Sequence, residues 1–180
     1  MKSFIKFLML NVVLLLPVAS FAGRNPAVQP LFFEQLQAAL PSSQPEPITT
    51  SGAVSDVTWQ GLAWEVDNVK TSHVPIVIEF YSDDSGDCQR FNPVGTDECA
   101  PQLAQFDSAS SSYGDNVKFI RFNVRLHPDV VNGPDVRVLP THFFIADYTD
   151  TQHYTAVKVW GMLDEAGIAQ VIQQTFNISQ

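Results

Sequence analysis

Apolar positions in this chain fall into blocks with two distinct rhythms. Residues 76–81 form a continuous, β-branched run rather than an alternating one, which predicts a central strand buried on both faces. Residues 117–124, with Phe119, Ile120 and Phe122 for the core, predict a second strand, and residues 154–160 an edge strand broken at Gly161. Val57, Leu62, Ala63, Val66 and Val69 are spaced for one face of a helix over 56–70, its start capped by Ser55 or Asp56. Gly61 weakens that helix by about 1 kcal/mol relative to alanine. Residues 99–112 and 164–176 predict two more helices, the last one closing the chain. Residues 31–40 carry apolar positions for a short helix that docks on the rest, whereas 41–55 are rich in Pro, Ser, Thr and Gly and read as an irregular arm. His127-Pro128 and Asn132-Gly133 mark the loop over 126–133 as a turn region.

The N-terminus adds a different signal. Lys2 and Lys6 precede an apolar run through Leu16, followed by Pro17 and the small-residue pattern Ser20-Phe21-Ala22, the arrangement of a secretory signal peptide over 1–22. The run falls short of the roughly 20 residues of a membrane span, so no stable span is expected after cleavage. Removing it takes away two lysines and no acid, moving the net charge from −9 to −11. Nucleic acid is excluded as a partner on that balance, because phosphate backbones are bound by clustered Lys and Arg. The expected location is the periplasm or the extracellular space, where an even cysteine count favours pairing. Cys88 and Cys99 are the two cysteines, and the segment between them contains the bends Asn92-Pro93 and Gly95-Thr96. A structural disulfide and a redox-active pair are both open on this reading.

Between residues 75 and 88 the chain reads Pro-Ile-Val-Ile-Glu-Phe-Tyr-Ser-Asp-Asp-Ser-Gly-Asp-Cys, and from 138 to 145 it reads Val-Leu-Pro-Thr-His-Phe-Phe-Ile. These two stretches resemble the active-site strand and the cis-proline loop of the thioredoxin-like superfamily, over roughly residues 56–177. The resemblance implies an α/β fold, a central mixed sheet flanked by helices, here with an N-terminal extension over 23–55 before a domain over 56–180. Glu79 corresponds to the family's buried carboxylate and stands nine residues before Cys88, as that carboxylate stands before the second cysteine. Ser85 then occupies the position of the attacking cysteine, Gly86 keeps the family's glycine, and Asp84 and Asp87 replace its tryptophan and proline. Ser85-Gly86-Asp87-Cys88 is thus a degenerate active-site loop. The resemblance further implies a cis bond before Pro140, with Leu139, Pro140 and Thr141 forming a groove that pairs with an extended peptide.

A serine hydroxyl cannot open a disulfide at neutral pH, and the acids at 83, 84, 87, 97 and 98 disfavour a thiolate at Cys88. The spacing from Cys99 to Tyr113 also fits the family's helix, which implies an insertion of about eleven residues stapled by Cys88 and Cys99. Glu79, if buried without a cation, is expected to hold its proton more tightly. His73, His127, His142 and His153 have no ligand spacing, the acidic loop does not fit an EF-hand, and neither a metal nor a cofactor is expected. Asn177-Ile178-Ser179 is a glycosylation sequon relevant only to a eukaryotic source.

Three functions follow. The first is a redox-inactive exported protein that binds a protein or peptide through the loop at Pro140. The second is a divergent thiol-disulfide oxidoreductase or isomerase using Cys88, Cys99 and Glu79. The third is a structural component of an envelope assembly held through residues 23–55.

Overall fold

A six-stranded mixed sheet organises the chain, in the order β1-β2-β4-β3-β5-β6. The computed structural model describes residues 35, 36, 38–46, 49–51, 54–83, 99–126, 136, 138–150 and 153–180. In chain order these give β1 (Thr49–Ser51), β2 (Val54–Asp56), α1 (Trp59–Ser72), β3 (Ile76–Tyr81), α2 (Cys99–Tyr113), β4 (Lys118–Asn123), β5 (Thr141–Asp150), β6 (His153–Trp160) and α3 (Glu165–Phe176). Strands β2, β4 and β3 run parallel, while β5 is antiparallel to β3 and β6 to β5. The C-terminal ends of β3, β4 and β6 and the start of β5 therefore meet at one end of the sheet.

The continuous apolar run at 76–81 becomes β3, which lies between β4 and β5 with its first five residues buried. Its side chains alternate between two cores. Ile76, Ile78 and Phe80 face the α1 side with Leu62, Val66, Val69, Phe122 and Phe143. Val77 faces the other side, where Phe106, Ala109 and Tyr113 of α2 and Ile168 and Ile172 of α3 close over Phe119 and Phe144. Spacings of three and four residues place each helical set on one face. Pro101 falls in the first turn of α2, where the missing N–H is tolerated.

The N-terminal extension departs from the expectation of an irregular arm. β1 and β2 pair as an antiparallel ribbon, and β2 joins β4 in parallel from Val54↔Phe119 to Asp56↔Arg121. Residues 54–56 therefore belong to the sheet, and this moves the helix start. Instead of Ser55 or Asp56, Thr58 caps α1, its Oγ1 accepting from Gly61 N at 3.1 Å. Gly61 has a packing reason, since a Cβ there would come within 3.0 Å of Val57 Cβ. Further upstream, Gln35, Leu36 and Ala38 are helical and Leu36 is buried in the α1-side core, with Ala39 packed against it. The described part of the expected helix over 31–40 thus contributes Leu36 to the core, and residues 31–34 and 37 lie outside the described residues. α1 and α3 end on residues in the left-handed conformation, His73 and Asn177.

Candidate functional site

The end of the sheet where β5 begins carries the features that set this chain apart. The Leu139–Pro140 peptide is cis, as expected, and Leu139, Pro140 and Thr141 all have buried side chains. The loop is held from both sides. Thr141 Oγ1 donates to Val138 O, and Gly161 N donates to Pro140 O at 2.9 Å. Gly161 has φ +88, a conformation favourable only to glycine, which lets the chain turn directly after β6.

Trp160, the last residue of β6 and the register partner of Thr141, is 54% exposed. Its ring is braced. Lys158 Nζ lies 5.2 Å from the Trp160 ring centroid and 5.8 Å from that of the buried Phe143, a geometry in which a cation is attracted to the ring faces. Leu126, which follows β4, is exposed at the same end of the sheet. From sequence, Trp160 reads only as the end of an edge strand; the aromatic just before the strand-breaking Gly161 is the available signal. Arg125 and Asp83 also lie there, 3.6 Å apart and both exposed, a contact of little energetic weight.

Beneath the loop is a buried charged cluster. Glu79 of β3 is fully buried, as is His142 of β5, its register partner. Glu79 Oε2 accepts from Arg121 Nε at 3.2 Å, and Oε1 lies 3.5 Å from His142 Nε2. The second arm of Arg121 reaches α2, where Nη2 donates to Leu103 O at 2.5 Å and lies 2.8 Å from Asp107 Oδ1. The guanidinium carbon stacks 5.6 Å from the Phe106 centroid. Glu79 therefore has a cationic partner, which corrects the premise on which a more tightly held proton was expected. Through Arg121, its carboxylate is linked to both β4 and α2. His142, read from sequence as a core or edge residue rather than a ligand, is in the core.

One phenol joins the cluster's border. Tyr81 Oη donates to Asp56 Oδ1 at 3.0 Å. Burial, reinforced by the charge and hydrogen bond of Asp56, pushes the Tyr81 phenol well above its usual range, and the Arg121 charge opposes this only partly.

Ser85, Gly86, Asp87 and Cys88 lie outside the described residues, as do residues 1–34 with the signal peptide. Cys99 opens α2, but the Cys88–Cys99 pairing is likewise outside what is described. Among the described residues no group of His, Cys, Asp and Glu could hold a metal ion, and no helix is long and apolar enough to cross a membrane.

A family model described as Thioredoxin matches residues 60–174. Among solved structures, chloroplastic thioredoxin z is similar with a TM-score of 0.53 at 18% identity, covering 72% of this chain and 100% of that one. Full-length ERdj5 is similar with a TM-score of 0.51 at 16% identity, covering 72% of this chain and 17% of ERdj5. No curated protein matches. At such identities the structural likenesses carry the fold alone.

Proposed function

This chain belongs to the thioredoxin family, and from that premise we propose that it is an exported, redox-inactive member that binds an extended segment of another protein at the loop over 138–141. The observation that carries this reading is Trp160. It is a large aromatic, half-exposed and held in place by Lys158, and it directly precedes Gly161, whose N–H donates to Pro140 O. A pre-oriented tryptophan offers much contact area at low entropic cost, and such residues dominate binding energies. Glu79 supports the same reading, since its carboxylate is engaged by Arg121. Ser85 does too, in the position of the attacking cysteine.

The test has two arms. Affinity capture from the native compartment should recover a partner with the unmodified chain and lose it with Trp160→Ala, while the purified protein leaves insulin unreduced. Retention of the same partner by the variant would refute the binding site.

A second reading rests on the position of Cys99 at the first residue of α2. A helix N-terminus favours a thiolate, and Cys88 with Cys99 would then form a noncontiguous redox pair. Insulin turnover that disappears in Cys88→Ala would decide for it.

A further inference from the structure

The opposite end of the sheet, away from the loop over 138–141, holds an open cleft of about 390 Å³. It lies between the end of α1 and the short turn Gly114–Asn116 that joins α2 to β4, over the register partners Ile76 and Lys118 that begin β3 and β4. Val69, Val74, Ile76 and Val117 give it an apolar lining. Gly114, at φ +52, stands in open space, since a Cβ there would meet nothing within 4 Å. Folded interiors rarely leave voids much larger than a water molecule, and sites for small ligands begin at about 300 Å³.

One side chain in this lining is unusual for its place. Glu65 is 8% exposed on the buried face of α1, alongside Leu62, Val66 and Val69, and its Oε2 lies 2.6 Å from Lys118 Nζ. A buried ion pair seldom stabilises a fold more than apolar residues of similar volume, because both charges must leave water. An apolar residue at 65 would fasten α1 to β4 as well and fill part of the cleft. The pair instead fixes an ammonium in the lining. An ammonium carries three donors, and the Lys118 side chain is 36% exposed, so Glu65 orients it without exhausting it. Asp115, exposed in the same lining, adds a second carboxylate.

We propose that this cleft binds a small zwitterion with a branched aliphatic body, of which an aliphatic α-amino acid is the simplest. Its carboxylate pairs with the Lys118 ammonium, its ammonium pairs with Asp115, and its aliphatic chain covers Val69, Val74 and Ile76. A plain anion would face two carboxylates, and a plain amine would face Lys118. A zwitterion meets its complement at each end. The size agrees, since an apolar cavity of about 150 Å³ already takes benzene. The site lies far from Trp160 along the sheet and is independent of what binds there.

Titration of the folded, nitrogen-15-labelled protein with L-leucine to about 10 mM tests this, a range that reaches millimolar dissociation constants. The amides of Glu65, Val69, Ile76, Asp115 and Lys118 should shift along one saturable curve while that of Trp160 stays still. Isocaproate, which lacks the ammonium, and isopentylamine, which lacks the carboxylate, should each bind about tenfold more weakly or worse, the loss expected for one charge-assisted contact. Asp115→Asn, at an exposed position, should bring leucine down to the level of isocaproate. The absence of a saturable shift at the cleft, an analogue that matches leucine, or an Asp115→Asn variant that binds leucine as the unmodified protein does would each overturn the proposal.

Discussion

Glu79 and Arg121 are register partners on adjacent parallel strands, and the Arg121 guanidinium bridges that carboxylate to the Leu103 carbonyl and the Asp107 carboxylate of α2. One buried cation thus joins two strands and the helix packed on them. Removing it alone strands Glu79 without its partner. Arg121→Met should cost about 3–5 kcal/mol in denaturant unfolding. The double variant Glu79→Leu with Arg121→Met should be more stable than Arg121→Met itself, because no uncompensated charge is left inside. Equal stability of the single variant and the unmodified chain would mean that the pair contributes nothing.

Alkaline pH should weaken the fold through tyrosine. Tyr81 and Tyr113 both have phenols pushed up, chiefly by burial. A folded state that holds these protons more tightly than the unfolded chain is fully stabilised below the ordinary tyrosine value of about 10 and loses that stabilisation as pH rises above it. The urea midpoint should fall between pH 9 and pH 11. Tyr81→Phe should flatten that fall while costing about 1 kcal/mol at neutral pH, the typical worth of its hydrogen bond to Asp56.

Leu36 lies upstream of the sheet yet is 2% exposed within the α1-side core. Leu36→Ala should therefore destabilise the whole domain by about 2–5 kcal/mol, as for any large core side chain, with one cooperative transition. A loss under half a kcal/mol would mark the segment as peripheral.

Trp160→Ala should separate binding from folding. Half-exposed, the side chain should alter stability by roughly 0.5 kcal/mol or less. Its loss from a binding centre typically costs about 2 kcal/mol, roughly thirtyfold in affinity. Titration of the captured partner against both proteins checks this.

Ser85→Cys in a Cys99→Ala background places a second thiol three residues before Cys88. This variant should gain insulin reduction that the unmodified protein lacks, at a rate below that of an ordinary thioredoxin because Asp84 and Asp87 oppose the thiolate.

Elements whose local signals agree were legible from the chain. The uninterrupted β-branched run gave β3 at its observed bounds, and Asp164 caps α3 as its position before an amphipathic stretch suggests. The start of α1 was not legible. Ser55, Asp56 and Thr58 are all good caps, and the choice is made by β4, which recruits residues 54–56 as a strand. That is a long-range contact invisible to periodicity. The same holds for Arg121, which reads as a lone charge in an apolar strand until β3 and α2 supply its partners. The prominence of Trp160 depends on its exposure among the described residues, which only the fold reveals. From the strand pattern His142 reads as a core or edge residue, and both its place in the core and its closeness to Glu79 need the antiparallel register of β5.

Side chains of the protein itself take up three backbone amides around the start of α3. Gln102 Oε1 accepts from Leu163 N at 2.8 Å, Gln105 Oε1 from Glu165 N at 3.1 Å, and Asp164 Oδ1 from Gly167 N at 2.7 Å, while the Ser108 hydroxyl donates to the Glu165 carboxylate. Helix starts elsewhere in proteins collect phosphates and carboxylates because their amides lack acceptors. Here an incoming anion would have to evict a side chain from each of these amides and sit beside two carboxylates. The start of α3 is thereby a poor anion receptor, and the amides of Leu163 and Glu165 serve instead to fasten it to α2.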